Sequence, residues 1–539
     1  MISPHPFAPA PGGRPVDISL VRCSTVANAW ALGKDAVPSI GLAYIAGALR
    51  AAGHHVSAVD GVGEAVDQYT RVPWSSRALI HGLKIHEIVE RIDPRAEVIG
   101  VGCMFSVEWL VVRSLIEAIR DAYPRALIVM GGEHVTACPD YCLDTCRADV
   151  AVLGEGEETI VDLVNAFSTK QDFARVPGIV YRGPDGLAHT GRRQRIRAID
   201  EIPLPDWSVF PLETYIDNAF GFGMDLGRSM PILASRGCPY QCTFCSSPQM
   251  WTTLWSARKP ELLLEEMKGY MARYGVTNFD FYDLTAIVKK QWIVEFTKLL
   301  LAENVTITWQ LPSGTRTEAI DDEVSRLLYD AGCRSLDYAP ETGSPAELKR
   351  IKKKVEPSRM VASMRSAHQA GLQIKTNFIL GLPGQTWSDV YHTFTFLFQI
   401  ACAGVEDVTV FPFSPYPGSE LFSQLQARGR VQLDEAYFRT LLAYTDPQHS
   451  VSYADFIGSR GLSMLNMVAL AYFYFFNFLF RPGRLVRLMY GLVFKDGSTR
   501  LTTALATRRR KQVAMKLVRA QSAETVIIPA TRPPRTQAG

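Results

Sequence analysis

Residues 235–248 read SRGCPYQCTFCSSP, and three cysteines give this stretch its chemistry. Cys238, Cys242 and Cys245 follow a C-x3-C-x2-C spacing, with no fourth cysteine in the same segment. Three thiolates hold three irons of a cubane [4Fe–4S] cluster and leave the fourth iron open to a ligand other than protein. The stretch therefore predicts an iron–sulfur cluster that acts as a reagent.

A zinc knuckle and three unrelated thiols are the alternatives for the same cysteines. A tetrahedral zinc site requires a fourth Cys or His at a similar spacing, and none follows nearby. The segment resembles the cluster motif of radical S-adenosylmethionine (radical SAM) enzymes, which usually have an aromatic residue where Phe244 stands. The resemblance implies that the three cysteines bind the cluster, that Phe244 lies at the cofactor site and that S-adenosylmethionine (SAM) is the cosubstrate.

The bulk composition limits the class of protein. A chain of 539 residues is too long for one core, so we expect two or three domains. Hydrophobic residues make up 47% and charged residues 21%, as in globular proteins, and a net charge of +3 gives no argument for a nucleic-acid partner. Ten cysteines do not make a disulfide scaffold at this length, and clustered thiolates need a reducing compartment. Together with an N-terminus unlike a secretory signal, this predicts a cytoplasmic protein.

The N-terminal part alternates short apolar runs with helical patterns. A helix is predicted over residues 40–52, ending at Gly53. Such alternation predicts an α/β domain with a Rossmann-like, doubly wound parallel sheet that binds ligands at the carboxyl ends of its strands. The predicted strands are residues 16–21, 56–59, 98–101, 127–130 and 150–153.

Acidic residues and glycines follow these strands directly. Glycine lets the backbone approach a large flat or phosphate-bearing ligand closely. We therefore predict that the strand-end residues border a cofactor. They are Asp60, Gly102, Gly131, Gly132, Gly154 and Gly156.

This region resembles the cobalamin-binding domain that precedes the radical SAM core in the cobalamin-dependent branch of that superfamily. The matching stretches are residues 41–47, 53–56, 98–106, 131–137 and 154–159. The resemblance implies cobalamin as a second cofactor, with the strand-end glycines around the corrin. The alternative is a Rossmann-like domain that binds another nucleotide or nothing.

One motif of the resembled domain is absent. Classical cobalamin domains carry Asp-x-His-x-x-Gly, whose histidine ligates cobalt from below. Here Asp60 is followed by Val62 at the histidine position and Ala65 at the glycine position. If cobalamin binds, no histidine of this motif ligates the cobalt.

A second alternating block follows a proline-rich connector. Its six predicted strands suffice for the partial (β/α)6 barrel of radical SAM enzymes, with chemistry at the carboxyl ends. The strands are residues 231–236, 279–283, 306–311, 335–339, 374–380 and 407–413. We thus divide the chain into a cobalamin-binding domain (1–200), an extended linker (201–228), a radical SAM core (229–445) and a helical C-terminal region (446–539) whose tail from residue 522 is predicted to be disordered.

Two segments of the barrel resemble SAM-binding segments of the family. Residues 339–344 resemble the one whose acidic residue meets the methionine moiety or ribose, so Glu341 is predicted to accept hydrogen bonds from the ligand ammonium. Residues 379–384 resemble the one that backs the adenine, which assigns Gly381 and Pro383 to that contact.

Three further residues at strand ends are candidates for the same site. Asp283 stands where the family often has a polar residue, and Ser313 and Arg316 follow the third strand. A guanidinium binds a carboxylate through two hydrogen bonds, which makes Arg316 a candidate for holding the methionine carboxylate. A helix cap or an ion pair is the alternative role for each strand-end carboxylate.

Cys138, Cys142 and Cys146 recur every four residues, which places them on one face of a predicted helix. A second cluster or a metal site is one interpretation, and buried structural thiols are the other. His54, His55 and His134 lie near predicted strand ends, where a cofactor contact or a hydrogen-bonded structural role is open.

Residues 462–480 contain no charge and are followed by several arginines. By length they could span a bilayer, but Asn466, Asn477 and the many aromatic residues also suit an interfacial helix or a helix packed on the barrel. An interfacial helix predicts a peripheral membrane contact and a lipid-like substrate.

The resemblances together imply a cobalamin-dependent radical SAM enzyme, a methyltransferase that acts on an unactivated carbon of a small-molecule or lipid-like substrate. In such enzymes an external reductant supplies one electron through the cluster, SAM is cleaved to a 5′-deoxyadenosyl radical, and methylcobalamin provides the methyl group. A radical cyclase without net methyl transfer and a non-catalytic cobalamin or cluster sensor are the alternatives.

Overall fold

The computed structural model of the chain describes residues 6–31, 33, 36–72, 74–315, 319–445, 449–494, 500–520 and 525–528. The strands are β1 (Asp17–Arg22), β2 (Thr25–Asn28), β3 (His55–Asp60), β4 (Gln68–Arg71), β5 (Ala78–His81), β6 (Val98–Gly102), β7 (Leu127–Gly131), β8 (Val150–Val152), β9 (Ile179–Gly183), β10 (Gly186–His189), β11 (Ser229–Ile232), β12 (Ser235–Arg236), β13 (Ser256–Ala257), β14 (Asn278–Phe281), β15 (Thr308–Thr315), β16 (Cys333–Glu341), β17 (Gln373–Leu380), β18 (Asp407–Pro412) and β19 (Thr525–Ile527).

The α-helices are α1 (Ile40–Ala51), α2 (Ile85–Arg91), α3 (Trp109–Ala122), α4 (Glu133–Ala137), α5 (Pro139–Thr145), α6 (Glu157–Thr169), α7 (Leu212–Asp217), α8 (Ser247–Trp251), α9 (Pro260–Tyr274), α10 (Lys290–Ala302), α11 (Asp322–Asp330), α12 (Pro345–Arg350), α13 (Pro357–Gln369), α14 (Trp387–Ala403), α15 (Glu420–Ala427), α16 (Glu435–Thr440), α17 (Ser459–Phe480), α18 (Pro482–Phe494) and α19 (Arg500–Ala520).

Seven strands of the N-terminal part form one sheet in the order β10-β9-β8-β7-β6-β1-β3. The five strands from β3 to β8 are parallel, and β9 and β10 add an antiparallel edge. Apolar side chains of the strands are buried on both faces, against α1 and α6 on one side and α2 and α3 on the other. The chain reverses its direction of winding between β1 and β6, where a doubly wound sheet binds its ligand.

The second sheet contains β11, β14, β15, β16, β17 and β18 in that order, all parallel. Helices lie between successive strands on one face; for example, Phe378 of β17 packs against Phe396 of α14. The alternate residues Lys375, Asn377 and Ile379 of β17 are only half-buried and face the inside. This is the predicted partial (β/α)6 barrel.

The C-terminal helices pack on the barrel and return to the N-terminal domain. Arg500 of α19 pairs with Asp337 of β16 at 2.6 Å, near the amino-terminal end of the barrel. Thr525–Ile527 form strand β19, which pairs with β4. These residues were predicted to belong to a disordered tail, and the backbone hydrogen bonds to β4 explain their order.

Helix α17 is long and apolar enough to cross a membrane by length and composition alone. One of its faces is buried, however, because it packs on α14 and β18. Asn466 and Asn477 lie on this face, where Asn477 donates to the Val405 carbonyl at 2.6 Å. The sequence left three interpretations of this segment: a membrane span, an interfacial helix and a helix packed on the barrel. The structure shows the packing on the barrel for one face of α17.

The predicted fold class is confirmed: a doubly wound α/β domain, a partial barrel and a helical C-terminal region. Besides the order of β19, three local expectations were wrong. The strand predicted over 231–236 is split, because Ser235 and Arg236 pair with β13 instead of the barrel. Cys138, Cys142 and Cys146 were expected on one helix. That helix breaks at Cys138, because Pro139 starts a new helix. The linker expected to be extended contains α7.

Candidate active site at the carboxyl ends of both sheets

The cysteine loop begins where β12 ends. Gly237 has φ +83°, and a Cβ atom there would lie 2.1 Å from the Leu254 carbonyl oxygen, so only glycine fits. Cys238, Cys242 and Cys245 are half-buried on the loop that follows. The Ser247 amide points at Cys245 Sγ, 3.4 Å away, a contact that favours a thiolate ligand. This loop geometry fits the three-cysteine cluster predicted from the sequence.

A buried ion-pair network ties this loop to the N-terminal sheet. Arg236 Nη2 lies 2.6 Å from Glu157 Oε1, and its Nη1 lies 3.5 Å from Glu155 Oε1. Arg195 also pairs with Glu155, and the Arg236 guanidinium lies 4.7 Å from the centroid of the Tyr44 ring. All these charges are paired, as buried charges must be. The segment after β8 is therefore held against the strand that leads to Cys238.

A second contact between the two domains lies after β7, the strand beside β8 in the sheet. Glu133, directly after β7, accepts a hydrogen bond from the Ser246 hydroxyl, next to Cys245. Burial raises the pKa of Glu133. Gly132 before it has φ +116°, and a Cβ atom there would lie 2.3 Å from the Cys103 carbonyl oxygen. The carboxyl ends of β7 and β8 thus face the cysteine loop.

The structure places all five predicted glycines at this edge. A Cβ atom on Gly102 would meet Leu42, one on Gly131 would meet Val152, and one on Gly154 would lie 3.8 Å from the Met250 carbonyl oxygen. Gly156 lies against Ile45, with 2.9 Å to a built Cβ atom. Their close neighbours are protein atoms, and contact with a corrin stays a prediction.

Asp60 is fully buried at the end of β3. Its carboxylate accepts hydrogen bonds from the Tyr215 hydroxyl at 2.9 Å and from the amides of Val62 and Gly63, and it lies 3.6 Å from Arg22. These contacts brace the loop after β3. A cofactor contact for Asp60 stays a prediction.

Sequence reasoning missed several residues at this edge. Met104 and Phe105 follow β6 with 45% and 58% of their surface exposed, which is unusual for apolar side chains beside a buried strand. Glu108 accepts a hydrogen bond from Thr25 at 2.7 Å, and burial raises its pKa. Apolar side chains exposed at the mouth of a doubly wound sheet suit the edge of a large planar ligand.

On the barrel side, the side-chain oxygen of Asn377 on the inner face of β17 is buried and has no hydrogen-bond partner among the described residues. Tyr282 follows β14, and its buried hydroxyl meets the Phe222 backbone amide. Buried polar atoms are normally satisfied, so the Asn377 oxygen suits a polar ligand inside the barrel. The alternation of Asn278, Asp280 and Tyr282 with buried Phe279 and Phe281 is the signal that could have identified Tyr282.

Glu341 occupies a strained position at the end of β16. Its φ is +65°, in the left-handed region that disfavours side chains. The carboxylate is buried and pairs with Lys353 Nζ at 2.8 Å. Lys353 in turn lies 6.0 Å from the centroid of the Phe244 ring. Glu341 is thus joined to the cysteine loop, and backbone strain of this kind clusters at functional sites.

Asp283 braces the start of the cysteine loop. Its carboxylate accepts hydrogen bonds from the Ser235 hydroxyl and from the Ala234 amide at 3.1 Å. Burial raises the pKa of Asp283 to about 6. Ser313 is half-buried in β15, and Arg316 lies outside the described residues.

Gly381 contacts the C-terminal region. It has φ +84°, and a Cβ atom there would lie 2.6 Å from Leu462 of α17. Its amide donates to Gln385 Oε1 at 2.8 Å, and Pro383 is half-buried nearby. Gly381 is thus required for the close contact with Leu462. The contact of Gly381 and Pro383 with the adenine of SAM stays a prediction.

Aromatic side chains line the end of β18. The rings of Phe411 and Tyr444 stack with centroids 4.6 Å apart, and Tyr416 packs edge-on against Tyr444 at 5.9 Å. Asn28 of the N-terminal domain donates to the Leu442 carbonyl at 3.0 Å in the same segment. Tyr444 was not a candidate from the sequence, since it lies far beyond the last barrel strand.

Known protein families match both the N-terminal sheet domain and the barrel. The B12 binding domain family matches residues 33–164, and the radical SAM superfamily matches residues 232–397. An uncharacterized methyltransferase of Pyrococcus horikoshii is 27% identical over 71% of this chain and 78% of its own length. Cytidylyl-2-hydroxyethylphosphonate methyltransferase of Streptomyces wedmorensis is 25% identical over 74% and 80%.

A third relative has a different activity. The anaerobic magnesium-protoporphyrin IX monomethyl ester cyclase of Cereibacter sphaeroides is 25% identical over 59% of this chain and 51% of its own length. The similarity therefore covers about half of the length of the cyclase.

Two solved structures share the fold. The cobalamin-dependent SAM radical enzyme OxsB, with aqua-cobalamin and SAM bound, has a TM-score of 0.64 at 15% identity and covers 94% of this chain and 80% of its own. The radical SAM methyltransferase TsrM from Kitasatospora setae has a TM-score of 0.58 at 17% identity, covering 77% and 78%. The two family matches thus show a B12-binding domain followed by a radical SAM domain in this chain, and the two solved structures share this fold.

Proposed function

We propose that this chain is a cobalamin-dependent radical SAM methyltransferase that methylates an unactivated carbon of a small molecule. The observation that carries the proposal is the buried pairing of Arg236 with Glu155 and Glu157. It places the carboxyl-end edge of the B12-binding sheet against the strand that leads to Cys238. A methyl carrier and a radical generator would then face one substrate space.

The residues present fit the three cofactors. Cys238, Cys242 and Cys245 are the thiols for a [4Fe–4S] cluster, and the side-chain oxygen of Asn377, without a partner among the described residues, suits a polar ligand such as SAM. The exposed side chains at the end of β6 suit an apolar corrin face. When bound, the cluster supplies the electron that cleaves SAM, and cobalamin supplies the methyl group.

Within this proposal the chain positions and shields the reactants. Glu133 holds Ser246 and thereby the end of the cysteine loop, while Lys353 neutralises Glu341 until a ligand ammonium competes for the same carboxylate. Met104 and Phe105 would exclude water from the space between the domains. Asp60, Ser313, Gly381 and the strand-end glycines are proposed as supporting contacts.

Isotope transfer tests the reaction. The protein is reconstituted without oxygen with iron, sulfide and hydroxocobalamin, then given a chemical one-electron reductant, methyl-deuterated SAM and an extract of candidate metabolites. We expect 5′-deoxyadenosine and a product that carries the deuterated methyl group. The Cys238→Ala variant is the matched control and should form neither.

Cyclisation is the second candidate because a cyclase is among the relatives. The same experiment separates the two reactions. A product that has lost hydrogens and contains no deuterium would establish cyclisation, and absence of 5′-deoxyadenosine in the cluster-loaded protein would indicate a sensor.

We further propose that the enzyme is cytoplasmic and touches a membrane through α17 and α18. The faces of these helices away from the barrel expose Met464, Phe475, Leu479 and Val486, and Arg487 is exposed beside them. Apolar side chains bordered by arginine suit the surface of an anionic bilayer. A lipid-like substrate would reach the enzyme from that surface.

Flotation with vesicles tests this contact. The protein should float with vesicles that contain phosphatidylglycerol, and a Met464→Ser/Phe475→Ser variant should remain at the bottom of the gradient. Leu262→Ser, which alters an exposed leucine on α9, is the control and should float. Wild-type protein that stays unbound on anionic vesicles would rule out the contact.

A further inference from the structure

The B12-binding domain contains a second group of metal-ligating side chains, outside the proposed active site. His134 of α4, Cys138 between α4 and α5, and Cys142 of α5 each offer one ligand atom, and these atoms all lie within 4.8 Å of one another. All three residues are buried. An imidazole and two thiols are the ligand types of protein zinc sites.

The distances agree with tetrahedral coordination. Cys138 Sγ lies 4.0 Å from Cys142 Sγ and 3.8 Å from His134 Nε2. Around a zinc ion with Zn–S of about 2.3 Å and Zn–N of about 2.0 Å, the corresponding separations are about 3.8 and 3.6 Å. A contraction of a few tenths of an ångström would complete the geometry.

The remaining ring nitrogen of His134 has the partner that a ligating histidine needs. Ser106 Oγ lies 2.9 Å from His134 Nδ1, a contact that occupies this nitrogen and makes Nε2 the ligand atom. Cys138 Sγ lies 3.7 Å from Nδ1 and 3.8 Å from Nε2. Trp109 and Phe438 pack against the ring at centroid distances of 5.2 and 5.5 Å and fix it further. The ring is therefore held in place before any metal binds.

We propose that His134 Nε2, Cys138 and Cys142 bind a zinc ion, with the Cys103 thiol as fourth ligand. Nitrogen and sulfur ligands of this kind select zinc among the common divalent ions. Cys103 is buried in the same core cluster and follows β6, and its carbonyl oxygen contacts the backbone at Gly132, just before α4. The zinc would pin the β7–α4 loop, and hence Glu133, against the cysteine loop. This proposal does not depend on the proposed methyl transfer.

Zinc content and zinc K-edge X-ray absorption of the full-length, cluster-loaded protein test the site. The absorption edge is specific for zinc, so the iron cluster and cobalamin do not interfere. We expect about one zinc per chain, with sulfur neighbours at about 2.3 Å and one nitrogen neighbour at about 2.0 Å. This measurement on the unmodified protein needs no variant to fold.

Variants identify the ligands. Cys138→Ser, Cys142→Ser and His134→Gln should each lower zinc content at least tenfold, and Cys103→Ser should remove one sulfur from the zinc shell. Ser106→Ala should weaken zinc binding by about 10- to 100-fold, as expected for a residue that orients a ligand. Cys146→Ser alters a neighbouring buried thiol and is the matched control, which should keep the zinc. Iron content of the cluster reports on folding in every variant.

Several results would overturn the site. Protein from zinc-supplemented growth that contains less than about a tenth of a zinc per chain contradicts it, as does a zinc shell without sulfur. Full zinc content in a folded Cys138→Ser/Cys142→Ser variant, or a Cys138–Cys142 disulfide found by mass spectrometry in protein prepared without oxygen, does the same.

Discussion

Arg236 and Glu157 form a buried ion pair across the two sheets, with Arg236 Nη2 and Glu157 Oε1 2.6 Å apart. Arg236 ends the strand before the cysteine loop, and Glu157 starts the helix after β8. The pair therefore aligns the two cofactor edges, and its loss should affect activity as well as stability.

Glu157→Gln tests this alignment. Removing one partner leaves the Arg236 charge with only the longer contact to Glu155, and breaking a buried pair costs about 3–5 kcal/mol. We expect a lower thermal transition and slower product formation at unchanged iron content. Lys290→Ala removes exposed ion pairs with Asp321 and Glu323 and should leave the thermal transition nearly unchanged. Equal effects of the two substitutions would contradict the alignment role.

Each of the three loop cysteines should be essential for SAM cleavage. Cys238→Ala, Cys242→Ala and Cys245→Ala should yield colourless protein that is poor in iron and forms no 5′-deoxyadenosine. The exposed Cys402 is the control, since Cys402→Ala should be as brown and active as the wild type. A brown triple variant that still cleaves SAM would refute the assignment.

Gly237→Ala should disturb the loop without removing a ligand. The added Cβ atom would meet the Leu254 carbonyl oxygen at 2.1 Å in a backbone conformation with φ +83°. We expect at least a tenfold loss of cluster iron after reconstitution. Gly269→Ala, within α9 where a Cβ atom meets nothing within 4 Å, should instead stabilise by about 0.5–1 kcal/mol. Normal iron content in Gly237→Ala would show that the loop tolerates a shift.

Two substitutions at Glu341 separate strain from binding. Glu341→Gly removes the carboxylate and relieves the strain at φ +65°, which is of the order of 1 kcal/mol, whereas Glu341→Gln keeps the strain. Both should raise the KM for SAM, measured by 5′-deoxyadenosine formation, but only the glycine variant regains stability. An unchanged KM in both would assign Glu341 to the Lys353 ion pair alone.

The raised pKa of Asp283 predicts a pH-dependent cost in stability. Its pKa rises from 3.8 to about 6 on folding, because burial favours the protonated form. The native state therefore binds the proton more tightly, and stability falls as pH rises from about 4 to 6, by up to about 3 kcal/mol. Asp283→Asn mimics the protonated form and should be more stable than wild type at about pH 7.5, with the difference vanishing near pH 4.

Chemical unfolding at several pH values measures this difference. Asp330→Asn, at an exposed position on α11, should show no such pH-dependent gain. A stability difference between Asp283→Asn and wild type that stays constant from about pH 4 to 7.5 would show that folding leaves the pKa of Asp283 unshifted.

The sequence by itself determined the fold class of this protein and predicted the three cysteines proposed as cluster ligands. Both are local properties: period-two and period-3.6 apolar patterns identify strands and helices, and a metal-binding loop keeps its ligands within eight consecutive residues, Cys238 to Cys245. Strand-end glycines were found for the same reason.

Only the tertiary structure decided which residues meet across the chain. The pairing of Arg236 with Glu157, the contact of Gly381 with Leu462 and the convergence of His134 with Cys138 and Cys142 join segments that are far apart in sequence or separated by a helix break. No local pattern encodes such contacts, because they depend on how two sheets and the C-terminal helices pack.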